Sequence, residues 1–160
     1  MKFTVLSREN AKRYTYEIHN HKYVIISISD LKDEPVKFNH TSELVDVLRL
    51  WFDDEESNHP NCISEDDGNK IINFINKHKD IDECVVHCTA GISRSAGVCA
   101  ALMFIINGSD DEIFENPEFC PNMTCYRTVL KAGLGSIDEK EVERKYNHFI
   151  ELFRKANDLD

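Results

Sequence analysis

The sequence predicts an α/β fold: a central, mostly parallel twisted sheet flanked by helices. Three observations lead there. Short runs rich in β-branched residues, Tyr23-Val24-Ile25-Ile26-Ser27-Ile28 and Leu44-Val45-Asp46-Val47-Leu48-Arg49-Leu50-Trp51-Phe52, are bounded by polar segments, as strands of a buried parallel sheet are. Helical patterns alternate with them, the clearest at Ile71, Ile72, Phe74 and Ile75. Finally, Val85-Val86-His87-Cys88 passes through a short loop into residues 96–106, apolar on nearly all sides, which reads as strand, loop and buried helix. At 160 residues the chain is expected to form one domain, 1–160, long enough to bury roughly 70% of the surface its unfolded form exposes.

In order along the chain, residues 2–6 alternate apolar and polar and read as an edge strand. Ser7 then caps a polar helix over 8–17. Tyr23 to Ile28 is the central strand, and 30–41, with Pro35 and mixed charges, reads as a solvated surface connector, with a place on the rim of the functional site as the alternative. His19 and His21 have no carboxylate or cysteine nearby to complete a ligand set, so they read as a polar turn and no metal site is expected. The strand ending at Phe52 runs into Asp53-Asp54-Glu55-Glu56. Ser64 and Asp67 form a variant capping box for a helix to about Lys79. The buried helix over 96–106 ends at Asn107-Gly108. A short helix over 109–115 stops at Asn116-Pro117, and another over 121–132 ends at Gly133. Ser136-Ile137-Asp138-Glu139 reads as a capping box opening a helix to about Ala156, with Val142, Tyr146, Phe149, Ile150 and Phe153 facing the core.

Composition excludes several function classes. A formal net charge of −10 opposes a phosphate-backbone footprint, so neither nucleic acid nor an anionic membrane surface is an expected partner. No apolar run reaches the ~20 residues that span a bilayer. The six cysteines, at 62, 84, 88, 99, 120 and 125, show no regular disulfide framework, and three fall in or beside core elements. Reduced thiols in a cytoplasmic monomer are the expectation.

The chemistry concentrates where the strand ends. A cysteine before a loop and a helix N-terminus sits where negative charge is stabilised, and there a thiol pKa falls from about 8.5 to roughly 3.5–7.5. Cys88 occupies that place. Arg94 closes the loop with a planar guanidinium able to hold two phosphate oxygens at once, and Gly91 permits the positive φ a tight loop needs.

His87-Cys88-Thr89-Ala90-Gly91-Ile92-Ser93-Arg94-Ser95 resembles the His-Cys-x5-Arg-Ser/Thr signature of cysteine-dependent protein tyrosine phosphatases, and its Ala-Gly-x-Ser-Arg-Ser end is similar to the dual-specificity branch. The resemblance implies that family's fold and a metal-free, cofactor-free phosphatase. In it Cys88 attacks phosphorus, while Thr89, Ala90, Gly91, Ile92, Ser93 and Arg94 bind the phosphoryl oxygens. Ser95 hydrogen-bonds the thiolate, and His87 orients the loop through backbone contacts. It also implies a general acid on an upstream loop. Aligning Leu48-Arg49-Leu50 with the Leu-Arg-Ile strand that precedes this acid in dual-specificity phosphatases puts Asp54, 34 residues before Cys88, in that role. Asp53 is one residue early and stays an alternative, with Glu55, Glu56 and Asp30 behind it. The Trp-Pro-Asp of the tyrosine-specific enzymes is absent, so loop closure is not inferred from them.

The implied substrate is a phosphorylated protein carrying phosphotyrosine, with or without phosphoserine and phosphothreonine. RNA 5′ ends or phosphoinositides are the second expectation, disfavoured because Thr89, Ala90, Ile92 and Ser93 add no lysine or histidine for further phosphates. A catalytically inactive phosphate-binding module is the third.

Overall fold

A computed structural model describes residues 1–159. In chain order the elements are β1 (Lys2–Ser7), α1 (Arg8–Tyr14), β2 (Tyr23–Ser29), β3 (Leu44–Trp51), α2 (Glu65–Lys77), β4 (Glu83–Cys88), α3 (Arg94–Asn107), α4 (Asp111–Phe114), α5 (Met123–Leu134) and α6 (Glu139–Ala156). The four strands form one all-parallel sheet in the order β1-β4-β2-β3, so the α/β expectation holds.

The period-2 alternation of the strands decides what each face touches. Val24, Ile26 and Ile28 of β2 and Cys84, Val86 and Cys88 of β4 join the larger core beneath α2, α3 and α5. The opposite face carries Tyr23, Ile25 and Val85, covered by Ala11 of α1 and by Val36 and Phe38. Every residue of β2 and β4 is therefore buried. α3 is buried along most of its length and packs on β1, β4 and α5, which makes it a fixed support for whatever precedes it.

Four expectations are corrected. α1 stops at Tyr14 and not at residue 17, because the Thr15 hydroxyl turns back to donate to the Lys12 carbonyl at 2.8 Å and accepts the backbone N–H of Asn39 at 2.9 Å. The 30–41 segment is exposed along much of its length but is more than a connector, since Val36 and Phe38 are buried and Asp30 pairs with Arg94 at the start of α3. α5 runs through Gly133, where a Cβ would stand 2.5 Å from Ile105 Cδ1, and ends instead at Gly135 with φ +81°. Asp138, not Ser136, caps α6, because only its carboxylate is placed to accept from Glu141 N. The expected capping box at Ser64 and Asp67 is present on α2. No helix among the described residues is long and apolar enough to cross a membrane, and all six cysteines are unpaired.

Candidate active site

All four strands run the same way, so the residues leaving their carboxyl ends meet along one edge of the sheet, where ligand sites of open α/β folds gather. Ser7, Ser29-Asp30, Trp51-Phe52 and Cys88 leave that edge together. The loop 89–93 between β4 and α3 is held from three sides through its own carbonyls. Arg8 N donates to Thr89 O at 3.1 Å, Cys120 N to Ile92 O at 3.0 Å and Asn122 N to Ser93 O at 3.0 Å. Gly91 has φ +72°, and a Cβ there would lie 2.5 Å from Ser7 N, so both dihedral and space demand glycine.

Cys88 Sγ lies 3.1 Å from Ser95 Oγ at the base of this loop, both residues being buried. Burial opposes ionisation of the thiol. The Ser95 hydroxyl and backbone N–H, the Gly91 backbone N–H and the charge of Arg94 outweigh it and hold the pKa below the usual value. Cys84 and Cys125, buried without such donors, shift strongly the other way.

The Arg94 guanidinium is anchored along one side. Its NH1 donates to the Phe52 carbonyl at 2.8 Å and pairs with Asp30 Oδ1 at 2.7 Å, while NH2 donates to Thr89 Oγ1 at 3.1 Å. Its two hydrogen bonds leave three of its five N–H groups, among them the Nε–H, buried with no partner among the described residues, and one NH2 hydrogen. Nε and NH2 lie on one edge of the guanidinium, the edge that grips two oxygens of one phosphate.

The acidic loop after β3 separates its two aspartates. Asp54 Oδ1 accepts from Ser93 Oγ and from Asn122 Nδ2, both at 2.9 Å, which places it against the cysteine loop with Oδ2 available to carry a proton. Asp53 faces the other way. Its oxygens accept from Leu31 N at 3.0 Å and Asn61 Nδ2 at 3.2 Å, tying the loop to the 30–41 segment. Glu55 faces His59, and Glu56 lines a neighbouring cavity. Behind the loop, buried His87 meets Cys88 O with Nδ1 at 3.1 Å and Ser27 Oγ with Nε2 at 2.6 Å. Burial first, then the charges of Arg8, Arg49 and Arg94, bring its pKa down to about 4 against the pull of the Cys88 carbonyl, so the ring is neutral near pH 7.

The structure thus brings Cys88, Thr89, Ala90, Gly91, Ile92, Ser93, Arg94, Ser95 and Asp54 together and leaves Asp53 and His87 in supporting positions. Two residues escaped the sequence reading. Asp30 was only a reserve acid, yet it anchors Arg94. Asn122 holds Asp54 while its Oδ1 caps α5 by accepting from Cys125 N at 3.0 Å, and an N-cap asparagine after Pro121 was the one available signal. Beside Asp54 and Ser93 lies a cavity of about 390 Å³ whose wall mixes Met123, Tyr146 and Ile150 with Glu56, Thr124 and Arg127. Tyr146, expected in the core, is 40% exposed there. Among the described residues no cluster of His, Cys, Asp and Glu is arranged to hold a metal ion.

Comparison with known proteins agrees with this geometry. The protein-tyrosine phosphatase family model matches residues 10–130. No curated protein matches the chain. Among solved structures, a mouse protein assigned as a dual specificity phosphatase and crystallised with zinc tungstate superposes with a TM-score of 0.58 at 16% identity, covering 85% of this chain and 84% of that one. PTPMT1 in complex with PI(5)P gives a TM-score of 0.52 at 20% identity, with coverage of 90% and 94%. Because the family model spans most of the chain and its sheet and helices superpose on those structures, the chain belongs to the protein-tyrosine phosphatase family of cysteine-dependent phosphatases, with a fold like that of the dual-specificity enzymes.

Proposed function

We propose that the protein is a metal-independent, cytoplasmic phosphatase that acts as a monomer on phosphotyrosine in proteins through a phosphocysteine intermediate. The observation that carries this reading is the pairing of a thiol held below its usual pKa with an arginine whose Nε–H and second NH2 hydrogen are unspent. A phosphate seated on the loop backbone and that edge of Arg94 has its phosphorus above Cys88 Sγ. The thiolate attacks, the P–O bond to the phenol breaks, and Asp54 Oδ2 gives its proton to the departing oxygen. Asp54, now a carboxylate, takes a proton from water, whose oxygen displaces the thiolate from phosphorus. The Ser95 hydroxyl at 3.1 Å stabilises that thiolate as it leaves.

One observation favours phosphotyrosine over an inositol phosphate or an RNA end. Thr89, Ala90, Ile92 and Ser93 offer no side-chain cation for a second phosphate on the same ring. The test is a panel assayed side by side in chelator: phosphotyrosine, phosphoserine and phosphothreonine peptides, a phosphoinositide and a triphosphorylated RNA. The phosphotyrosine peptide should give the highest kcat/KM. Preferential hydrolysis of the phosphoinositide or the RNA would contradict the reading, and no turnover of any substrate, p-nitrophenyl phosphate included, would point to a binding module.

A further inference from the structure

On the sheet face opposite α3, β3 presents an arginine with nothing to hold. Arg49 is half-buried, its NH1 is shielded from solvent without a partner, and no described residue offers its guanidinium a hydrogen bond or an ion pair. The Phe38 ring lies beneath it, 5.3 Å from the guanidinium carbon. A charge left unpaired at such depth is costly, so it persists where something else uses it.

Arg49 is part of the lining of a cavity of about 820 Å³, together with Lys37, Phe38, His40 and Trp51. Neither Lys37 nor His40 forms an ion pair with a described residue, and Glu34 is the one carboxylate in the lining. Burial and the nearby charge of Arg8 both press against the charge of Arg49. In a chain of net charge −10, this is a local reversal of sign.

The cavity lies close to the phosphate loop. Arg49 is in register with Ser27, and Ser27 with His87, so two strand spacings, about 10 Å, separate its Cα from that of the residue before Cys88. Arg8 bridges the two sites. Its side chain donates to Ser29 Oγ at 3.2 Å and Glu34 O at 2.8 Å, and its backbone N–H to Thr89 O in the loop. An extended peptide covers about 10 Å in three residues.

We propose that this cavity is a second recognition site, in which Arg49 and Lys37 bind the carboxylate of an acidic residue a few positions from the phosphotyrosine of a peptide substrate. The proposal rests on the phosphotyrosine-protein reading above. With NH1 shielded, the Nε and NH2 edge of Arg49 supplies the fork a carboxylate accepts in two hydrogen bonds, Lys37 adds a point charge at the exposed mouth, and Phe38 and Trp51 seat the aliphatic stem of the bound residue.

The experiment compares two phosphotyrosine peptides, one with Glu and Asp flanking the phosphotyrosine and one with Gln and Asn in their place, with p-nitrophenyl phosphate as the probe of the catalytic loop alone. The wild-type protein should favour the acidic peptide by about tenfold to hundredfold in kcat/KM, the worth of one hydrogen bond to a charged group. Arg49→Gln should remove that preference by raising KM for the acidic peptide at unchanged kcat. Lys37→Gln, at an exposed position, should weaken it severalfold whether or not Arg49→Gln folds. Both variants should hydrolyse the neutral peptide and p-nitrophenyl phosphate as the wild type does. Equal turnover of the two peptides by the wild type would overturn this proposal alone, as would a loss of equal size on p-nitrophenyl phosphate in an Arg49→Gln protein that unfolds cooperatively as the wild type does, or an acidic-peptide preference left intact in Lys37→Gln. Hydrolysis of phosphoinositide vesicles with neither peptide cleaved would overturn it together with the phosphotyrosine reading.

Discussion

Asp53 and Asp54 carry the same charge one residue apart, and their partners separate them. Asp54 rests on Ser93 and Asn122 against the cysteine loop, whereas Asp53 is spent on Leu31 N and Asn61. If Asp54 donates the proton, Asp54→Asn should slow hydrolysis of an aryl phosphate with a high-pKa leaving group by roughly 10²–10⁴-fold and an activated one far less. Asp53→Asn should cost less than tenfold, equally for both substrates, because it loosens the loop without removing a proton donor. A leaving-group-dependent loss in Asp53→Asn alone would exchange the two roles. The sequence reading put Asp54 in the acid role by strand alignment and kept Asp53 as the alternative, and it could not see the contacts that separate the two because Ser93 and Asn122 lie about 40 and 70 positions from Asp54. Asp30 and Asn122 were hidden for the same reason. Each acts through a partner distant in the chain, Arg94 for one and Asp54 for the other. Cys88, Arg94 and Ser95 were legible because one continuous stretch carries them all.

At the level of elements, β2, β3, β4 and α3 were readable from apolar runs long enough to leave no competing period. Three of the errors fell at termini, where tertiary contacts choose among nearly equal caps: Thr15 bound to Asn39 at the end of α1, Gly135 rather than Gly133 after α5, Asp138 rather than Ser136 before α6. One contact between elements makes stability depend on pH. His87 of β4 is buried against Ser27 of β2 and has its pKa brought down to about 4, from 6.5 in an exposed histidine. Below pH 6.5 the unfolded chain takes up a proton that the folded chain refuses until about pH 4. Stability is therefore fully present above 6.5 and falls as the pH drops through that window, by up to about 3 kcal/mol. Urea unfolding of the wild type and of His87→Gln at several pH values from 7 to 4 reads this directly. The variant should lose the part of the pH slope that belongs to the imidazole, and identical slopes would mean that His87 does not titrate on unfolding.

Across the whole molecule, the parallel sheet sends every strand end to one edge, and the chain spends scarce cations there. Arg8, Arg49 and Arg94 are close enough to one another to act together on His87, inside a protein whose net charge is −10. The sequence showed the acidic total and the cysteine loop. It did not show this gathering of arginines, because their positions along the chain carry no pattern and only the strand order β1-β4-β2-β3 unites them. The central claim is that Cys88 takes the phosphoryl group, and trapping the intermediate tests it most directly. The protein, turning over p-nitrophenyl phosphate, is quenched in acid within the first turnovers and its intact mass and peptides are measured. The account predicts one added phosphoryl group, mapping to the peptide that contains Cys88, absent in Cys88→Ser and more abundant in Ser95→Ala, which lacks the hydroxyl that stabilises the departing thiolate. A phosphoryl group found on any other residue, or Cys88→Ser turning over substrate at a rate near that of the wild type, would contradict it.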